Sequence, residues 1–136
     1  SIGEAAFHSC SSLTSITIPE GVTSIEGGAF LGCTSLTSIT IPDSVSSIGN
    51  GAFFRCTSLT NITIPDGVTS IGERGFYGCT KLAAVTFLGD APKVKTDKEG
   101  NELFIKSSPT IYRKPETKGW GETFAGRPVK LIGEKP

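Results

Sequence analysis

The chain has 136 residues, 37% of them hydrophobic, with 13 basic and 13 acidic side chains and a formal net charge of zero. That length suits one domain, and the balanced charge lacks the basic excess with which nucleic-acid binders neutralise phosphates. No apolar run approaches the roughly 18–20 residues of a spanning helix, so neither nucleic-acid binding nor membrane insertion is expected. The opening Ser1-Ile2-Gly3-Glu4 has no signal-peptide character. It falls mid-repeat, so the chain reads as a fragment of something longer. Charge is unevenly spread. Residues 1–87 carry six acids against three bases (Arg55, Arg74, Lys81), and the remainder carries seven acids against ten bases.

Internal repetition dominates the first two thirds. Cys10, Cys33, Cys56 and Cys79 are 23 residues apart, and Phe7, Phe30, Phe53 and Phe76 keep the same step. Leu13, Leu36, Leu59 and Leu82 follow it, as do Ile16, Ile39, Ile62 and Val85, then Ile18, Ile41, Ile64 and Phe87. Residues 24–46 and 47–69 share 16 identities in 23 positions. Such a period is the signature of a stacked-repeat architecture.

Within one unit, Leu59-Thr60-Asn61-Ile62-Thr63-Ile64 has the L-x-x-I-x-I spacing of a leucine-rich-repeat strand. Ile62 and Ile64 alternate with Thr63, the period-2 pattern of a half-buried strand. Pro65-Asp66-Gly67 then turns the chain, proline presetting φ and ending the ladder. Val68 to Ile71 predicts a short extended piece on the opposite wall. Gly72 to Cys79 predicts a single helical turn, with Phe76 and Cys79 at i and i+3 pointing inward. One coil cannot bury its own apolar face, but stacked coils cover one another about 4.8 Å apart. Each inward position becomes a ladder of like residues.

From residue 88 the pattern fades. Leu88 stands where proline is expected and no further Ala-Phe-x-x-Cys follows. The expectation is four 23-residue repeats over 1–87, the first one truncated, and a capping region over 88–136. Leu103-Phe104-Ile105, Thr110-Ile111-Tyr112 and Val129-Lys130-Leu131-Ile132 supply short strand-like segments for the cap. Lys98 to Glu102 reads as a polar turn, and Gly133 to Pro136 as a fraying end.

The recurrent Ile-Gly-x-x-Ala-Phe-x-x-Cys-x-Ser-Leu-Thr-x-Ile-x-Ile-Pro, at 48–65 for example, resembles the BspA-like leucine-rich repeats of bacterial surface proteins. Thr110-Ile111-Tyr112, Gly119-Trp120 and Gly126-Arg127-Pro128 resemble the end sequences of such proteins. The resemblance implies a right-handed solenoid of the α/β repeat type, mostly β with short helical or 3-10 turns, and a parallel strand row. It also implies a secreted or cell-surface location and adhesion to a protein or glycan, such as host matrix or another cell. It carries no enzymatic activity.

The cysteines fall at equivalent places in successive coils. Parallel side chains fit disulfide geometry poorly, and one column of thiols does not make a tetrahedral zinc site. Free buried thiols are therefore expected, with no metal and no cofactor. His8, the one histidine, sits at a variable position shared with Leu31, Phe54 and Tyr77, and a triad needs three groups in contact. Asp97, Glu99, Asn101 and Glu102 do not match a calcium loop. Asn61-Ile62-Thr63 is a formal glycosylation sequon. The glycines at 27–28 and 49–51 lack the strand and helix of a phosphate loop.

The candidate surface is the concave face of the strand row, an uncharged field of Thr14, Ser15, Thr17, Thr37, Ser38, Thr40, Thr60, Asn61 and Thr63. It lacks the Trp, Tyr and Arg typical of binding hot spots. Those lie in the cap as Tyr112, Arg113, Trp120 and Arg127, a rival site. The expected function is adhesion, with a purely structural spacer as the alternative and a hydrolase using His8 as a distant third. The uncovered layer of Ile2, Phe7 and Leu13 is expected to promote self-association.

Overall fold

A computed structural model describes residues 2–3, 5–94 and 102–132. The chain winds as a parallel solenoid. Each coil contributes one strand to a main row: β1 (Ser15–Thr17), β3 (Ser38–Thr40), β5 (Asn61–Ile64) and β7 (Ala84–Phe87). A second wall carries the two-residue strands β2 (Ser24–Ile25), β4 (Ser47–Ile48), β6 (Ser70–Ile71) and β8 (Lys93–Val94), all paired in parallel. The register follows the sequence repeat: Ser15 faces Ser38, Asn61 faces Ala84, and Ser24, Ser47, Ser70 and Lys93 align.

The third wall departs from the expected helical turn. Residues 72–79 form consecutive turns, and the 3-10 segment Glu102–Phe104 is the one helical element among the described residues. Two facts explain this. Every second N–H there leaves for the next coil: Phe30 N–H donates to Ala52 C=O at 2.8 Å and Phe53 N–H to Gly75 C=O at 2.9 Å. Left-handed φ also recurs every fourth residue, at Gly28 and Gly32, Gly51 and Arg55, Arg74 and Gly78. A helix needs the first set of bonds for itself and cannot contain the second feature. The N–H groups that stay local close tight turns, as Cys33 to Phe30 C=O.

The core is a set of ladders. Phe7, Phe30, Phe53 and Phe76 stack with centroids 5.2, 5.5 and 5.4 Å apart and ring planes within 4°. Phe104 continues the stack at 5.7 Å from Phe76. Beside it runs the thiol column. Cys33, Cys56 and Cys79 each donate Sγ–H to the C=O of Phe7, Phe30 and Phe53 at 3.0–3.1 Å, and Ser107 donates Oγ–H to Phe76 C=O at 2.8 Å. All four cysteines are free.

Residue 88 marks where the sequence pattern fades, while the coil path runs on. Leu103 and Phe104 take the third-wall positions, and Ser107 takes the place of cysteine. Strand β9 (Thr110–Arg113) pairs in parallel with β7, and β11 (Arg127–Leu131) with β9. Strand β10 (Thr123–Phe124) folds back antiparallel on β11. The last layer closes on aromatic edges: Phe87, Trp120 and Phe124 sit 5.0–5.2 Å apart at steep angles. Leu103 to Ile105, read as strand-like, instead form the 3-10 segment and its exit. Their backbone serves the fifth rung, since Phe76 N–H reaches Leu103 C=O and Gly78 N–H reaches Ile105 C=O. Of the polar turn expected over 98–102, Glu102 opens the 3-10 segment, and residues 98–101 lie outside the described residues, as does the end expected to fray at 133–136.

At the other end, Ile2, Phe7, Cys10, Leu13, Ile16 and Val22 are only partly buried, whereas Phe30, Cys33 and Leu36 in the next coil are fully so. Truncating Phe53 removes a ring stacked on both faces, and Phe53→Ala is expected to cost about 3–5 kcal/mol. Phe7→Ala should cost distinctly less, and urea unfolding of both variants checks the order. Burial raises the thiol pKa of Cys33 and Cys56, and pushes that of Cys79 to about 12. The folded state thus favours the neutral thiol. This stability is fully present below the unfolded thiol pKa of about 8.5 and is lost as pH rises from there towards the folded values. A urea midpoint falling between pH 8 and 11 is expected. The fall should be shallower in a Cys33→Ser, Cys56→Ser, Cys79→Ser variant, whose hydroxyls keep the donor as Ser107 does.

Candidate functional site

The expected hydroxyl field lies on the outward face of the main row. Pleating sends Ile16, Ile39, Ile62 and Val85 inward, so their neighbours point out. Ser15, Ser38, Asn61, Ala84 and Thr110 form one column, and Thr17, Thr40, Thr63, Thr86 and Tyr112 another. All nine candidate residues, Thr14, Ser15, Thr17, Thr37, Ser38, Thr40, Thr60, Asn61 and Thr63, are exposed. Asn61 Nδ2 reaches only its neighbour, Thr60 Oγ1, at 3.4 Å.

This face is split. Thr37 N–H donates to Thr14 C=O and Ala83 N–H to Thr60 C=O, at 2.9 and 2.8 Å, with no counterpart from Thr60 to Thr37. Ile18 N–H reaches Thr40 C=O and Leu88 N–H reaches Ile64 C=O, both at 3.0 Å, with no counterpart from Ile41 to Thr63. Strands β3 and β5 accordingly belong to separate sheets. The other two walls stay bonded across the same junction, through Thr69 N–H to Ser46 C=O and Gly32 N–H to Phe54 C=O. The opening forms a cleft of about 230 Å³ lined by Ile39, Thr40, Ile41, Asp43, Thr63, Pro65 and Leu88.

The rival residues divide. Arg127 is bound inward, its Nε and Nη2 donating to Ser107 C=O and Nη2 also to Phe104 C=O. Trp120 packs on Phe87 and donates Nε1–H to Gly89 C=O at 3.3 Å. Arg113 holds the carbonyls of Lys114 and Pro115. Tyr112 alone of the four joins the outward face, following Thr63 and Thr86 in their column, with Lys130 of β11 next in register. The two surfaces read separately in the sequence therefore share one residue.

Exposed His8 lies 2.9 Å from Ser9 Oγ through Nδ1. Residues 97, 99 and 101, weighed for calcium, lie outside the described residues. Gly49 and Gly72 directly follow strands β4 and β6, and a Cβ at Gly72 would come within 2.4 Å of Asn50 N. They allow close backbone stacking.

Sequence reasoning passed over the third wall. Its variable position, noted for His8, places Phe54 and Tyr77 in parallel stacking at 4.7 Å. Arg55 Cζ lies 5.5 Å from the Phe54 ring centre, and Arg74 Cζ and Lys106 Nζ each lie 6.0 Å from that of Tyr77. The signal was available: of the three bases in residues 1–87, Arg55 and Arg74 fall in this segment of the repeat and Lys81 lies just past it.

The comparisons with known proteins agree with this architecture. A family model described as a BspA type leucine rich repeat region of six copies matches residues 1–107. A leucine-rich repeat protein of T. pallidum is similar at 29% identity and a TM-score of 0.67, over 80% of this chain and 50% of that one. One from Bacteroides ovatus shows 30% identity and a TM-score of 0.67, over 94% and 32%. A leucine rich cell surface protein from Faecalibacterium prausnitzii shows 27% and 0.60, over 82% and 40%. The chain thus spans half or less of the length of these solved structures. No curated protein matches by sequence. The chain belongs to the BspA-type leucine-rich repeat family.

Proposed function

We propose that the chain is a non-catalytic recognition module of a secreted or cell-surface protein, binding a protein or glycan through the outward face of its main strand row. The observation that carries this is the pair of outward, mostly hydroxyl-bearing columns along the main row, exposed through the first three coils and joined further on by Tyr112. Repeated hydroxyls and an amide offer donors and acceptors without charge, suited to an extended partner that meets several coils. The cell-surface description of the Faecalibacterium prausnitzii protein supports the location. The family match supports a binding rather than a chemical role.

The spacer alternative rests on the same regularity, since threonine also favours strands. The two readings separate in a binding assay on immobilised matrix proteins and glycans. Saturable binding is expected, with a loss of at least tenfold in affinity on Thr37→Lys, Thr40→Lys and Thr63→Lys together. All three positions are exposed, so the fold should persist. Binding that survives the triple change would move recognition elsewhere, and no binding across the panel would favour the spacer.

Partner choice also includes a second copy of this chain. The partly buried layer of Ile2, Phe7, Leu13 and Ile16 presents apolar surface that stacking would cover. Sedimentation of the isolated chain should show concentration-dependent association, reduced by Leu13→Glu. A monodisperse monomer at high concentration would overturn this reading.

A further inference from the structure

We infer that the third wall carries a second ligand site, independent of the main row, that takes the carboxylate or sulfate groups of an acidic polysaccharide. The site is a notch of about 220 Å³ lined by Arg55, Thr57, Tyr77, Gly78, Thr80 and Lys106. Gly78 forms its floor. In coils three and five the equivalent position holds Arg55 and Lys106, so two cations flank one missing side chain. A Cβ at Gly78 would come within 3.1 Å of Arg55 Cγ, so the notch exists because glycine stands there.

Both cations occupy one recurrent backbone position. The position is left-handed in every coil: Ser9, Gly32, Arg55, Gly78 and Lys106 have φ of 57°, 74°, 58°, 73° and 62°. Glycine adopts this φ without steric penalty, while arginine and lysine do so under strain. Strained non-glycine residues of this kind concentrate at functional sites. Arg55 and Lys106 are exposed, and no carboxylate lines the notch. Charge is therefore available to a partner. The rest of the lining, two threonine hydroxyls and a phenol, suits the hydroxyls and ring oxygens of a sugar.

Two observations favour a glycan over an acidic peptide. The wall's backbone is already used from coil to coil: Arg55 N–H donates to Tyr77 C=O at 2.7 Å and Gly78 N–H to Ile105 C=O at 2.8 Å. A peptide cannot add here by main-chain pairing. The two cations are also two coils apart, roughly 10 Å at parallel-strand spacing. An extended peptide repeats its same-face side chains at roughly 7 Å, which does not match.

The test is fluorescence anisotropy of the chain with labelled hexamers: a heparin hexasaccharide, a hexagalacturonate, maltohexaose, hexaglutamate and hexathymidylate. At least one acidic sugar should bind, weakening as salt rises, and maltohexaose should not. Arg55→Gly and Lys106→Gly each restore the residue found in neighbouring coils. Each should lower affinity about tenfold while Tm stays at or above that of the parent chain. Arg55→Lys should keep most of the binding. Thr40→Lys, on the main row, should leave it intact, so failure of the main-row reading and failure of this one are distinguishable. The inference is overturned if neither acidic sugar binds at low salt, or if both glycine variants bind normally. Equal binding of hexaglutamate or hexathymidylate would also overturn it, as marking an unselective cationic surface.

Discussion

The constraint on which the structure depends is the donation of backbone N–H groups from each coil to its neighbour. It fixes the coil length, because a 23-residue step brings Ser24 onto Ser47 and Phe30 onto Phe53. It also fixes the side chains. Once the backbones are in register, each inward position must accept its own kind above and below, which selects flat rings and compact branched residues. The cysteines follow from the same rule. Between successive phenylalanines the column needs a small side chain that packs as a hydrophobe yet can donate to a carbonyl one coil away. A thiol meets both needs, and Ser107 shows that a hydroxyl meets the second.

This constraint explains what was legible in the sequence. Ladders leave a direct record, since identical environments select identical residues, so the strand row, the phenylalanine stack and the free thiols could be read from spacing alone. The continuation past residue 88 could not. Phe104 follows Phe76 after 28 residues and Thr110 pairs with Ala84 after 26, so an insertion shifts the period while the stack stays closed. The third-wall conformation was also hidden. Phe76 and Cys79 at i and i+3 fit a helical turn equally well, and the alternation of local and outgoing N–H groups has no sequence signature.

The candidate surfaces were legible to different degrees for the same reason. Outward main-row positions follow from pleating, so the hydroxyl columns were found residue by residue. Tyr112 was assigned to a separate cap site because its register with Thr86 depends on the shifted period. Arg127 and Trp120 looked available because side-chain type alone does not tell a contact with ligand from a contact with carbonyls. In the structure they close the last coil. Arg127 donates to the carbonyls of Phe104 and Ser107, and Trp120 with Phe124 covers Phe87.

Stability in such a stack is close to a sum of coil and neighbour terms, so the way surfaces distribute over coils matters mechanically. Coils two and three are joined along the second and third walls and open along the main row, between β3 and β5. The hydroxyl face crosses that opening. A partner held there would bridge coils that the main-row ladder leaves unjoined, and would add a neighbour term where the stack has least. The third-wall cations sit wholly within coils three to five, where strand pairing runs unbroken from β5 to β11. A ligand there meets a backbone already fixed by its own coil-to-coil bonds, so the freedom lost on binding is that of the Arg55 and Lys106 side chains. The two faces thus differ in rigidity as well as in charge, and one chain can offer both because neither uses the residues that hold the other in place.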